Sequence, residues 1–216
     1  MLEPAFFNRD AQVVAQDLLG KVICRFYKNQ WLQVKIIETE AYYINEKASH
    51  ASLGFTEKRK ALFMPAGTIY MYYARGGDSL NVSCKGKGNA VLIKSGIPIN
   101  NSEKALKRMQ ELNPKKNGEK RPIEQLCSGQ TLLCKALGLK VPEWNQKNFT
   151  REQFYIADWN YFPEKIIQTT RLGIPEGRDA HLPYRFIDHT YVKFCSKKPV
   201  KLFHIRCYSS QDEIIT

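Results

Sequence analysis

Glu38, Glu40 and Tyr42 stand two residues apart in the segment Glu38-Thr39-Glu40-Ala41-Tyr42, the spacing at which side chains of a β-strand share a face. Leu32, Val34 and Ile36 have the same parity, so the strand expected over residues 31–41 presents an apolar face that runs out into two carboxylates. Burial disfavours the charged form of a carboxylate and raises its proton affinity toward that useful in a general base. Planar side chains are close in sequence: Tyr42, then Tyr70 and Tyr72 on one face of a second strand, with His50 in the connection between. Rings so placed can stack a flat base taken out of a duplex, each contact being worth about 1–3 kcal/mol. Two plainer arrangements fit the same residues. The strand can leave the core before Glu38, and tyrosines at this spacing can be ordinary cross-strand packing.

Composition narrows the partner. Thirty-three Lys and Arg against 21 Asp and Glu give the 216 residues a formal charge of +12, which favours a polyanion. With 43% hydrophobic and 25% charged residues the chain has the make-up of a folded protein and not of a disordered one. The six cysteines include no C-x-x-C pair and no suitably spaced histidine, so a zinc site is not expected. Met1-Leu2-Glu3-Pro4 lacks the basic start and apolar run of a secretory signal, and no apolar stretch is long enough for a bilayer. These features predict a soluble intracellular protein, cytoplasmic if bacterial and nuclear if eukaryotic, with reduced thiols and no membrane partner.

The elements that must position the candidate residues follow from periodicity. Helical spacing of Ala11, Val14, Ala15, Leu18 and Leu19 predicts an opening helix, with Asn8 as N-cap and Gly20 as stop. Strands are expected over residues 22–26, 31–41, 68–73, 90–93, 154–157, 165–171 and 191–195. Asn100-x-x-Glu103 resembles a capping box before a helix that carries Ala105, Leu106, Met109 and Leu112 and ends near Pro114. Residues 113–121 read as a basic, mobile loop, and residues 128–137 as a short helix closed by Gly138. Strands and helices mix without a regular βαβ alternation, which predicts one compact α+β domain over residues 1–216, with a curved, mainly antiparallel sheet and flanking helices.

Taken in order, Glu38-Thr39-Glu40-Ala41-Tyr42, His50, Phe63-Met64-Pro65-Ala66-Gly67-Thr68-Ile69-Tyr70-Met71-Tyr72, Asn81 and Ala90-Val91-Leu92-Ile93-Lys94 resemble the alkyladenine (3-methyladenine) DNA glycosylase family. The likeness continues through Leu126-Cys127-Ser128-Gly129, Ala136-Leu137-Gly138 and, more loosely, Thr170-Arg171-Leu172-Gly173-Ile174, and leaves the tail near residues 200–216 unmatched. The resemblance implies base-excision repair of double-stranded DNA containing damaged purines, with no metal or organic cofactor needed; the sequence leaves the oligomeric state open, and a monomer suits an enzyme that scans DNA. It implies that Glu40 is the general base for water attack at the sugar carbon and that Glu38 supports it. It also implies that Tyr42, His50 and Tyr72 enclose the flipped base, that Asn81 crowds the guanine amino group, and that Tyr70 lies behind them.

Two departures stand out. The family has a wedging aromatic in a Tyr-Gly-Met-like segment after the second strand tyrosine. Here the stretch Tyr73-Ala74-Arg75-Gly76-Gly77-Asp78 is one residue shorter, which makes Arg75 the expected wedge and Tyr73 the alternative. Lys94 stands where the family usually has arginine, keeping charge but losing the bidentate fork. Lys58, Arg59, Lys94 and Arg171 are expected to neutralise phosphates, each having a plain alternative as a solvated charge. Competing classes are a noncatalytic lesion-binding protein, a Mg²⁺-dependent nuclease using Glu38, Glu40 and Asp78, and a lyase for which Lys94 is the nearest amine.

Overall fold

The computed structural model describes residues 1–99, 102–199 and 204–207, the last as backbone only. Among these residues a single curled sheet runs β3 (Ile69–Ala74), β4 (Gly77–Ser83), β5 (Ala90–Pro98), β2 (Gln30–Tyr42), β8 (Arg185–Asp188), β7 (Lys165–Thr169), β9 (His204–Cys207), with β1 (Val22–Tyr27) on β2 and β6 (Phe154–Ala157) on β1. Every pairing in it is antiparallel, so the α+β expectation holds. β9 falls in the unmatched tail and pairs with β7.

Helices cover one face. α1 (Pro4–Phe7) leads into α2 (Ala11–Asp17), which buries Ala11, Val14 and Ala15 against β2 and β5. Asp10, not Asn8, caps α2, its carboxylate accepting from the Gln12 and Val13 amides; Asn8 instead ends α1. The chain then stops at Gly20, whose φ of +85° suits only glycine. α3 (Glu103–Leu112) is capped by the Ser102 hydroxyl, while the expected cap at Asn100 lies outside the described residues. α4 (Gln130–Ala136) packs on β4 and β5, and α5 (Val141–Trp144) on β3. Residues 191–195, expected as a strand, belong instead to a 3₁₀ turn over His189–Phe194, opened by the Asp188 carboxylate accepting from the Thr190 amide.

One irregularity decides which way the carboxylates face. Ile36 pairs with Gly96, Glu38 with Ser95 and Thr39 with Ile93, so Ile37 and Lys94 are successive unpaired residues of a bulged crossing between β2 and β5. Side-chain parity flips there. Beyond the bulge it is Thr39 and Ala41 that continue the helix-covered face of Leu32, Val34 and Ile36, the Thr39 hydroxyl donating to the Ala15 carbonyl at 2.7 Å. Glu38 and Glu40 therefore project from the opposite face, which corrects the parity reading. Gly96 makes the close crossing possible, since a Cβ there would meet Val34 Cγ1 at 2.2 Å and the Lys35 carbonyl at 2.8 Å. Gly96→Ala is expected to cost about 1–3 kcal/mol in chemical denaturation, the range for overpacking a filled site.

Candidate active site

On the side of the sheet that carries Glu38 and Glu40 a cavity of about 880 Å³ opens, bordered by the first turn of α4, with Tyr42, His50, Tyr72, Asn81, Leu92 and Lys94 among its lining residues. Four of the five residues that the sequence names for catalysis or base contact, Tyr42, His50, Tyr72 and Asn81, thus meet at one place, although they come from β2, the turn after it, β3 and β4. Glu40, fully buried, lies beneath this lining. Its Oε1 is 3.2 Å from Lys94 Nζ and accepts from the Leu172 amide at 3.3 Å, and its Oε2 accepts from the Tyr42 hydroxyl at 2.8 Å. A buried carboxylate needs such compensation, and here it comes from three separate segments. The Tyr42 phenol is held far above its usual titration range, first by burial and then by the Glu40 charge, so it stays a donor.

The aromatic wall is ordered by contacts among its members. The His50 and Tyr72 rings meet edge to face at 4.3 Å, and Tyr70 stacks on Tyr72 at 5.5 Å. His50 Nδ1 lies 3.0 Å from the Tyr70 hydroxyl, which fixes the orientation of the imidazole ring, and Tyr70, though buried, also lines the cavity. Burial, then the cations Arg59 and Arg178, lowers the His50 pKa, so the ring is neutral at pH 7. Because protonation favours the unfolded chain, whose histidine is ordinary, stability present at neutral pH is lost as pH falls through the usual histidine range toward the lowered value. A urea-denaturation series across this range should show that slope in the native protein and a shallower one in His50→Gln. Asn81, opposite Tyr70 in the β3–β4 pairing, donates to the Tyr70 carbonyl at 3.2 Å and to Ser79 Oγ at 3.4 Å, which fixes its amide.

Other expected residues fall elsewhere. Arg171 is only 4% exposed, beneath Tyr42, its guanidinium carbon 4.5 Å from the ring centre; it pairs with Glu46 and donates to the Ala41 carbonyl at 3.0 Å. Burial leaves it no surface for a phosphate, and Lys94 is likewise committed to Glu40. Each of these cations faces a buried carboxylate that lies far away in sequence. Arg59 donates to the carbonyls of Leu53 and Gly54 at 3.1 and 2.9 Å and so ties down the turn that carries His50, while Lys58 is exposed. Arg75 and Gly76, at φ +50° and +79°, form a two-residue hairpin turn at the cavity edge, with Tyr73 61% exposed beside it.

The nuclease arrangement does not assemble. Glu38 is spent on Arg185 Nε at 2.6 Å, Ser95 and Ser196; Glu40 on Lys94; and Asp78 on Lys140 Nζ at 3.2 Å and the Val141 amide at 2.9 Å. Among the described residues no three His, Cys, Asp or Glu side chains are grouped to hold a metal ion, and no helix is long and apolar enough to cross a membrane. Sequence reasoning missed Leu172, Glu46, Arg185 and Ser196, whose contribution comes through backbone amides or distant pairing that leaves no local signature.

A family model for methylpurine-DNA glycosylase matches residues 5–191. Proteins named "Putative 3-methyladenine DNA glycosylase" are similar over most of their length: one from Pseudomonas syringae pv. tomato is 60% identical across 93% of this chain and 91% of its own. A counterpart from Pseudomonas aeruginosa is 59% identical (93% and 85%), and one from Clostridium beijerinckii 33% identical (92% and 100%). The chain belongs to the methylpurine-DNA glycosylase family. It is accordingly a DNA glycosylase, a hydrolase of N-glycosyl bonds whose substrate is DNA.

Proposed function

We propose that the protein is a monofunctional enzyme that flips an alkylated or deaminated purine out of duplex DNA into this cavity and hydrolyses its glycosidic bond with water activated by Glu40. The observation that carries this reading is a fully buried carboxylate, held by Lys94, Tyr42 and the Leu172 amide, at the base of a cavity walled by tyrosines and a neutral histidine. Water gives its proton to Glu40 as its oxygen bonds the sugar carbon. The carbon–nitrogen bond breaks with its electron pair leaving on the purine, and the strand is left with an abasic site. Alkylation improves the leaving group, so orientation and proton acceptance supply most of what remains. The reading needs no metal or organic cofactor.

In this reading Tyr42 stacks on one side of the base and His50 with Tyr72 on the other, and Asn81 stands against the amino group of normal guanine. The four residues 73–76 fill the gap in the duplex. Arg75 leans back over Gly173, where a Cβ would lie 2.6 Å from its Nη2, so the ring of Tyr73 is the better presented wedge. Exposed Lys58 and the cavity-lining Arg178 neutralise phosphates. The chain acts as one glycosylase domain and as a monomer.

Duplexes carrying one hypoxanthine or 3-methyladenine, incubated with chelator, test the reaction class. Free base with an intact, alkali-labile strand supports the proposal. Metal-dependent scission would return the nuclease, and tight lesion binding without release would make the protein a binder.

A further inference from the structure

A second exposed apolar feature borders the cavity, on the turn that carries His50 and away from the hairpin. Leu53 is 59% exposed and Phe55 57% exposed, two large apolar side chains set two residues apart on one turn. Neither is loosely held. Arg59 fastens the carbonyls of Leu53 and Gly54, Gly54 turns the chain at φ +80°, and the Phe55 ring rests edge-on against Phe63 at 5.5 Å. Leu53 and Tyr73 both line the cavity, so the opening carries an apolar side chain from each of two separate elements. The following turn, Glu57–Phe63, adds exposed Lys58 and Lys60 beside this tip.

We propose that Leu53 and Phe55 form a second prong that packs into the duplex beside the flipped nucleotide, with Tyr73 as the first. This inference rests on the reading of the cavity as a base pocket. Rigid apolar side chains flanked by cations match a ligand with a phosphate rim and an apolar stacked interior, which is duplex DNA. Unstacking one nucleotide opens apolar base faces on both sides of the gap. A single wedge covers one of them, and a fixed second prong covers another without losing conformational freedom on binding. Single-stranded DNA has no such gap, so the prong contributes to duplex engagement alone.

The test compares wild type with Leu53→Ser, Phe55→Ser and the double variant, measuring affinity by fluorescence anisotropy for a hypoxanthine duplex and for the same lesion in a single strand. Each single change should weaken duplex binding about tenfold, and the double change up to about 100-fold, with single-strand affinity unchanged. Phe55→Leu should retain most of the duplex affinity. Equal weakening on both DNAs would overturn the proposal, because the turn would then be supporting the pocket itself, and so would unchanged duplex affinity in the double variant. Thermal melting of each variant reports folding separately. Base release by wild type is scored alongside: a wild type that binds the lesion duplex but releases nothing sinks the hydrolytic reading while the prong result still stands.

Discussion

Glutamine at position 40 is expected to slow single-turnover release of a damaged purine by about 10²–10⁴-fold, the contribution of a positioned general base, while lesion-duplex affinity holds. The side chain that replaces Glu40 keeps an oxygen for the Leu172 amide and nearly the same volume, so the floor of the cavity is preserved. What disappears is a group that can take a proton from water and the charge opposite Lys94. In the proposed reading Tyr42, His50 and Tyr72 hold the base; the Tyr42 hydroxyl, which donates to Glu40 at 2.8 Å, can accept from the new amide instead, so the wall keeps its place. Saturating enzyme removes binding and product release from the observed rate, so the comparison reads the chemical step.

The second large effect separates two buried ion pairs that look alike in the sequence. Glu38 and Arg185 are 0% and 1% exposed, and removing one leaves an uncompensated charge in the interior. Glu38→Ala should therefore cost about 3–5 kcal/mol of stability, and the loss should lower Tm by about 6–20 °C at this chain length. Per folded molecule, lesion affinity should fall less than in the next variant, because the pair ties β2 to β8 and reaches the cavity through Ser196, one of its lining residues, and not through the stacking rings. Glu46→Ala frees the other buried guanidinium, Arg171, and should cost comparable stability. It should also weaken lesion binding about tenfold, because Arg171 backs the ring of Tyr42 and holds the Ala41 carbonyl. Glu46→Asp should recover much of both. Melting curves and anisotropy titrations on the same preparations separate the two effects.

Much of this architecture was legible because side-chain patterns follow burial. The β-branched and aromatic alternation of residues 22–26 and 154–157 produced β1 and β6, and Ala105, Leu106 and Met109 produced the buried stripe of α3. β4 was not legible: Gly77-Asp78-Ser79-Leu80-Asn81-Val82-Ser83 is rich in residues depleted from strands, and is held there by pairing with β3 and β5 and by burial on both faces. The turn over His189–Phe194 misled in the opposite way, its Tyr191, Val192 and Phe194 resembling a strand while the Asp188 cap bends it into a 3₁₀ turn.

The bulge at Ile37 leaves no compositional trace, since it arises from the register β5 imposes on β2. Glu40 was thus recognised through its neighbours in sequence, on a face that simple alternation assigns wrongly. The fates of Lys94 and Arg171 were hidden for a related reason. A basic residue in the sequence is equally a phosphate ligand or half of a buried pair, and only folding brings Glu40 and Glu46 against them.

The most direct measurement is single-turnover release of hypoxanthine by Glu40→Ala at saturating enzyme, with and without added formate. Loss of release in the variant and partial recovery with formate, a carboxylate small enough to occupy the space left by the missing side chain, is the predicted result. Release by Glu40→Ala at the wild-type rate without formate would contradict a base role for Glu40 and place the proton acceptor elsewhere in the cavity.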